Sequence, residues 1–335
     1  MFTGSVPVEI GNLTELRSIS LRSNSLSDPI PYQLGKLKQE LILSGNNFTG
    51  STPHDIGLIS GLKTLDLAEN IILGGHIPAS LGQLQALESL HLFSCGMNFS
   101  IPSQLGQFTN LKYLDLGENN ITGSLPPSLA ALSRNSAFSI ALNRITGAIL
   151  GWIFTNWTNL IILNLLDNSF IGPIPPKIGL FKNLRTLQIS LNKFSGHILL
   201  EIENLTNLEL LDLSRSIPTS TGEMVNLSVL DLAGNKLMGP IPTALGHLTD
   251  LQLLNLSNNK LSGPIPHGGQ MTTFDASSYH RNPRLCVPPL PEKKCTHDES
   301  ISNSSNSRDM RFHGWHLLCV YAVKLQFNVY CESSG

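Results

Sequence analysis

Side chains able to do chemistry are sparse in this 335-residue chain, where charged residues make up 14 % against a usual share near a quarter. The ten histidines do not fall at metal-ligand spacing with cysteine or with each other. There is no G-x-x-x-x-G-K-[ST] phosphate loop. The kinase set Val-Ala-Ile-Lys, His-Arg-Asp and Asp-Phe-Gly is missing, and Arg308-Asp309 has no histidine before it. Nothing points to a Ser/His/Asp triad. The chain therefore reads as non-catalytic, with no cofactor and no metal. Lys+Arg 22 against Asp+Glu 24 gives a net charge of −2, which excludes a general nucleic-acid binder and a polybasic membrane-surface protein. What remains is recognition chemistry. His91, Phe93 and Tyr113, with Lys63, Asp66, Lys112 and Asp115 around them, are the candidate ligand contacts, because aromatic residues on a polar surface serve as anchors.

The elements that must position these residues are repeats. The frame Leu16-x-x-Ile19-x-Leu21-x-x-Asn24 returns with Leu62, Leu65, Leu67 and Asn70, and with Leu111, Leu114, Leu116 and Asn119. It returns again ending at Asn168, Asn192, Asn235 and Asn259, and more weakly at Asn46, Cys95, Asn143 and Ser216. That makes eleven units, mostly 24 or 25 residues apart, with 22 into Asn46 and 19 into Asn235. This is the leucine-rich-repeat frame. Each Leu-x-Leu predicts a short strand with both leucines inward. Neighbouring strands stack in parallel about 4.8 Å apart, so eleven span roughly 50 Å. The Asn after each strand is expected inside the coil, where its amide satisfies backbone groups of adjoining turns. The predicted fold is an α/β repeat: a right-handed leucine-rich-repeat solenoid, or horseshoe, with a parallel β-sheet on its concave face. The residue between each leucine pair (Ser20, Ile42, Asp66, His91, Asp115, Ser139, Asn164, Gln188, Asp212, Asp231, Asn255) is expected on that face.

After each Asn comes Gly-x-Ile-Pro, as in Gly172-Pro173-Ile174-Pro175, Gly239-Pro240-Ile241-Pro242 and Gly263-Pro264-Ile265-Pro266. Gly permits a tight turn, Ile inserts into the core, and Pro ends backbone pairing. This L-x-G-x-I-P insertion resembles the plant-specific subclass of leucine-rich repeats, over roughly residues 2–270. The following Gln270-Met271-Thr272-Thr273-Phe274, Ser278-Tyr279 and Asn282-Pro283-Arg284-Leu285-Cys286 look like the C-terminal cap of plant receptor-like proteins and receptor kinases. Arg281 and Val287 depart from the Gly common there. The resemblance implies a Cys286–Cys295 disulfide and an oxidising compartment.

The expected organisation is 1–12 as a partial repeat without an N-terminal cap, 13–267 as eleven repeats, 268–295 as the cap, and 296–335 as a polar linker and weakly apolar tail lacking order. Phe2-Thr3-Gly4-Ser5-Val6-Pro7 matches mid-repeat sequence, so the expectation is an N-terminally truncated chain; a cytosolic repeat protein that starts there is the rival. Residues Phe312–Cys331 carry His313, His316, Lys324, Gln326 and Asn328, a poor membrane span. Asn-x-Ser/Thr acceptors at Asn12, Asn47, Asn98, Asn120, Asn156, Asn204, Asn226 and Asn303 are glycosylation candidates. A ninth, Asn255, falls within a strand and is discounted.

The resemblance implies a ligand-binding ectodomain of a plant receptor-like protein. It would take a peptide or protein ligand on the concave face, with a co-receptor kinase at the C-terminal repeats, on the secretory route to the cell surface or outside it. Two other readings stand beside it: a secreted inhibitor resembling polygalacturonase-inhibiting proteins, and a fragment without independent function.

Overall fold

The structure is a computed structural model, and it describes residues 1–286 apart from Thr14, Leu37, Lys38, Trp152, 195–203, 213–216, Pro218 and 234–236. Two compact units divide the chain, Met1–Lys293 and Lys294–Gly335. The expectations placed on Cys295, Asn303 and residues 312–331 fall outside the described residues.

Each Leu-x-Leu core forms a strand, and the strands stand side by side in chain order in one eleven-stranded sheet. They are Ser18–Ser20, Glu40–Ile42, Thr64–Asp66, Ser89–His91, Tyr113–Asp115, Ala137–Ser139, Ile162–Asn164, Thr186–Gln188, Leu210–Asp212, Val229–Asp231 and Leu253–Asn255. All pairings are parallel. Alternation sends the central residue of each strand inward, and Leu41, Leu65, Leu90, Leu114, Phe138 and Leu187 have no exposed surface. The chain is a leucine-rich-repeat solenoid, as the period predicts.

The Asn column works as a ladder between turns. The Asn119 amide nitrogen donates to the carbonyls of Leu92 (2.8 Å), Leu116 (3.0 Å) and Gly117 (2.9 Å). Its Oδ1 accepts from the N–H groups of Cys95 (3.0 Å) and Met97 (2.9 Å). One side chain thus binds its own turn and the turn behind it. Asn46, Asn70, Asn143, Asn168, Asn192 and Asn259 repeat the pattern. Cys95 fills the slot with a thiol that donates to Leu67 O at 3.1 Å. Burial pushes that thiol up to about 12, so it stays protonated and remains a donor. Asn282, in the cap motif, continues the ladder: it donates to Leu256 O and Tyr279 O, both at 2.9 Å, and accepts from Leu261 N at 3.0 Å.

Among the described residues, the one just before each ladder position sits in the left-handed region. Ser23, Glu69, Ser94, Glu118, Leu142, Asp167, Leu191 and Asn258 have φ between 50° and 60°. That turn reverses the chain out of the sheet, and the sequence reading does not anticipate it.

Beyond the ladder, Pro opens a short 3-10 turn rather than merely closing a strand. Pro7, Pro53, Pro78, Pro102, Pro126, Pro175 and Pro242 each cap one, with φ between −62° and −66°. The ring presets that angle. The preceding Val6, Ile77, Ile101, Leu125 and Ile241 are buried. One unit differs. There a four-residue α-helix, Ile153–Asn156, precedes Trp157, which is fully buried, donates to Leu129 O at 3.0 Å and packs on Phe138 at 4.7 Å.

Candidate ligand-binding face

Strand register puts the residues between the leucine pairs into one row. Ser20 pairs with Ile42, Ile42 with Asp66, Asp66 with His91 and His91 with Asp115. The row continues through Ser139, Asn164, Gln188 and Asp212, and Asp231 pairs with Asn255. Three candidate contacts, Asp66, His91 and Asp115, are therefore neighbours on adjacent strands.

Most acidic and amide members of the row have a structural task. Asp66 Oδ1 accepts from Ala68 N and Asp115 Oδ1 from Gly117 N, each at 3.0 Å. Asn164, Asp231 and Asn255 do the same for the N–H two residues on. A short side chain ending in oxygen satisfies the backbone where the strand ends. This is why Asp and Asn recur there.

The row is partly exposed at Ile42, Asp66, His91 and Asn255 and buried at Asp115, Ser139, Asn164, Gln188 and Asp231. Through that buried stretch the flanking positions turn apolar, with Tyr113, Ala137 and Ile162 before the row and Ala141 and Leu166 after it. Burial pushes the Asp115 carboxyl up, against the Gly117 N–H, the His91 charge and the Ser139 hydroxyl, which pull it down. Partial desolvation and the nearby Asp115 charge raise Glu118 as well, although its residue surface is largely exposed. Tyr113 opens the fifth strand and is 9 % exposed, so it packs more than it presents. Phe93 is half-buried, with its ring against the next strand; a Cβ on Gly117 would stand 3.2 Å from Phe93 Cδ2.

Lys63 and Lys112 lie on a different row, one residue before their strands. Both face Glu88, at 4.0 Å and 2.7 Å. Glu88 is a partner the sequence reading misses, because it stands 25 and 24 residues away and only the stack brings the three together. All three groups are at least one-third exposed, so these pairs add little stability and stay accessible to a ligand. Arg185 and Glu209 form a similar pair at 3.0 Å. It borders a shallow polar cleft of about 600 Å³, also lined by Asn226, Ser228, Asp250 and Gln252.

A further apolar row is also missed. The first residues of successive strands, Tyr113, Ala137, Ile162, Thr186, Leu210, Val229 and Leu253, are in register across the sheet. Reading the residue before each leucine pair, and not only the one within it, would find this row.

Of the glycosylation candidates, Asn12, Asn47, Asn120, Asn156, Asn204 and Asn226 are exposed. Asn156 and Asn226 already donate to Ala130 O (2.9 Å) and Thr206 O (2.7 Å). Asn98 is half-buried, with its Oδ1 enclosed and unpaired. Cys286 belongs to a disulfide; its expected partner Cys295 lies outside the described residues. Among the described residues no three or more His, Cys, Asp or Glu form a metal-capable group, and no helix is long and apolar enough to cross a membrane.

Comparison with known proteins agrees with this geometry. A family profile described as Leucine Rich Repeat matches residues 15–37, 39–58, 110–132, 226–248 and 250–270. A solved TDR receptor is similar at 32 % identity and a TM-score of 0.73, over 79 % of this chain and 47 % of that one. The Arabidopsis receptor kinase HAESA, solved with the peptide hormone IDA and the co-receptor SERK1, is similar at 27 % identity and a TM-score of 0.66, over 88 % and 58 %. A plant ice-binding protein is similar at 26 % identity and a TM-score of 0.55, over 88 % and 81 %. Among curated proteins none matches in sequence. The chain carries leucine-rich repeats and folds as their solenoid, and its solved likenesses include plant receptor ectodomains. It spans about half the length of the receptor ectodomains it matches.

Proposed function

We propose that this chain is the ligand-reading part of a plant cell-surface receptor-like protein. It captures a peptide on the concave face of its sheet and acts through a co-receptor at the last repeats, without catalysis of its own. The observation that carries this reading is the face itself. Eleven strands offer a continuous row in which Asp66, His91 and Asp115 are neighbours, with Phe93 and Tyr113 beside them and the accessible ammonium groups of Lys63 and Lys112 at the edge. A strip this long suits an extended peptide better than an enclosed metabolite. The likeness to receptors solved with peptide hormones supports the same choice. The polar cleft beside Arg185 and Glu209 is the candidate co-receptor contact. Export would leave Asn12, Asn47, Asn120 and Asn204 as the glycan carriers, since Asn156 and Asn226 spend their amide nitrogens on neighbouring turns. The Cys286–Cys295 pair would close the cap.

The test is selection of peptides from a displayed random 12-residue library on the purified chain. Selected peptides should lose about tenfold in affinity on His91→Ala, the size of one good interface contact, with the unfolding temperature unchanged. A selected peptide should also increase retention of a SERK1-type co-receptor ectodomain. A library that yields no binder rejects the peptide reading, and retention that ignores the peptide rejects the co-receptor half.

A further inference from the structure

Phe99 stands where most turns keep glycine. In the short strand pairs beyond the ladder, the glycine of L-x-G-x-I-P lies beside a buried apolar residue of the next turn. Gly147 stands beside Phe170, Gly239 beside Leu261 and Gly263 beside Leu285. These three glycines have φ between 82° and 87°. Phe99 takes the same place beside Ile121, with φ 63°. A bulky L-residue resists that angle. Here the left-handed backbone turns the ring outward: Phe99 is 65 % exposed, whereas Ile121 is 0 % exposed. Strain kept in order to present an aromatic ring to water points to something that rests on the ring.

The neighbouring turn supplies it. Asn98 pairs with Asn120 and Ser100 with Thr122, so two Asn-x-Ser/Thr acceptors stand side by side. They are not equivalent. Asn98 is half-buried, with its Oδ1 enclosed. Asn120 is exposed, and its amide makes no hydrogen bond among the described residues, unlike those of Asn156 and Asn226. It lies one strand across and one residue back from Phe99, a Cα separation of about 6 Å from strand spacing and rise. Ile121 points inward, so alternation sends Asn120 and Thr122 to the outer side, where the ring is. The first sugar on Asn120 would therefore meet Phe99. Asn98, Ser100, Asn120 and Thr122 are uncharged and offer amides and hydroxyls, which suits a neutral saccharide with an apolar C–H face and hydroxyl edges.

We propose that an N-linked glycan on Asn120 covers Phe99, its first N-acetylglucosamine lying on the exposed ring. This rests on the exported reading above, and it makes Asn120 the modified member of the pair. In the attachment step Asn120 Nδ2 bonds to C1 of the sugar. The bond from C1 to the diphosphate of a polyprenyl-linked oligosaccharide donor breaks, the lipid diphosphate leaves and one amide proton is released. The stacked sugar then takes out of water the ring that the backbone exposes, so the glycan stabilises the fold through Phe99.

The test uses the full chain secreted from cultured plant cells behind a host export signal. Thermal unfolding is compared for the parent, Asn120→Gln, Phe99→Gly and the double variant. Glycopeptide mapping should find Asn98 bare in all four and Asn120 glycosylated wherever it is present. Asn120→Gln should lower the unfolding temperature by about 2–4 °C in the parent and by less than about 1 °C in the Phe99→Gly background. Backbone strain cancels in that comparison, because each pair shares its residue at position 99. Without the Asn120 glycan, the chain with Phe99→Gly should melt higher than the one without it, since glycine holds positive φ freely and leaves no ring in water. Equal losses in both backgrounds overturn the proposal, and so does a glycan on Asn98 with Asn120 bare. A double variant that melts below Asn120→Gln also overturns it, because the ring would then pack within the protein. If Asn47 carries a glycan and Asn120 does not, only this inference fails. If no acceptor carries one, the exported reading fails with it.

Discussion

Asp115 shows how one side chain serves two demands. Its carboxylate closes the end of its strand through the Gly117 N–H, yet it is only 7 % exposed. Desolvation raises its pKa in the folded state, so folding makes its ionisation harder than in the unfolded chain. A group raised in this way contributes stability that is complete below its unfolded value and is lost as pH rises. Asparagine keeps the oxygen that Gly117 needs, as Asn164 and Asn255 demonstrate, and carries no charge. Asp115→Asn should therefore melt above the parent at pH 7, with the gap closing as pH falls toward about 4 and gone below it. Thermal melts across that range check it; a gap that widens in acid would contradict the assignment. The sequence shows that Asp recurs at this position but not why, because the N–H it holds becomes visible only once the strand end is placed.

At the scale of the element, the turn out of each strand is set by one residue with positive φ. Glycine occupies it at Gly45, whereas Glu118 and Leu142 hold it against the steric preference of L-residues, at about 1–2 kcal/mol each. Glu118 is exposed, so little but its backbone is at stake. Glu118→Gly should gain about 0.5–1 kcal/mol in denaturant melts, whereas the same change at Glu9, whose 3-10 turn does not need positive φ, should gain nothing. The identities at this position (Ser, Glu, Leu, Asp, Asn, Arg) share no side-chain property, so no pattern exposes it. The strands, in contrast, are plain in the sequence, because two leucines must face the core for each to be buried.

Across the whole molecule, stability passes from turn to turn through the Asn ladder. Asn119 links three segments with five hydrogen bonds. Asn119→Leu would strand buried groups on two adjoining turns and should cost about 3 kcal/mol or more, measured by equilibrium unfolding; a loss below about 1 kcal/mol would show that the ladder is dispensable. Repetition makes the fold legible: the count of strands, their order and the buried Asn all follow from a period of 24 or 25 residues. The face is less so. The Lys63–Glu88–Lys112 chain and the apolar row through Ile162 and Leu210 both depend on which residues stand abreast across turns. That relation appears only after the register is fixed, and the shorter intervals before Asn46 and Asn235 prevent it from being counted off by a constant.

The ladder has an evolutionary corollary. Each Asn addresses backbone atoms, never a particular side chain, and none beyond the turn just behind it. Excision of one whole period, or duplication of one, would hand every remaining amide the same kinds of carbonyl and N–H it had before. Copy number can therefore drift by unequal recombination without reopening the core, and the length of the inner face, with the size of what it can hold, becomes a trait that genes adjust in whole steps.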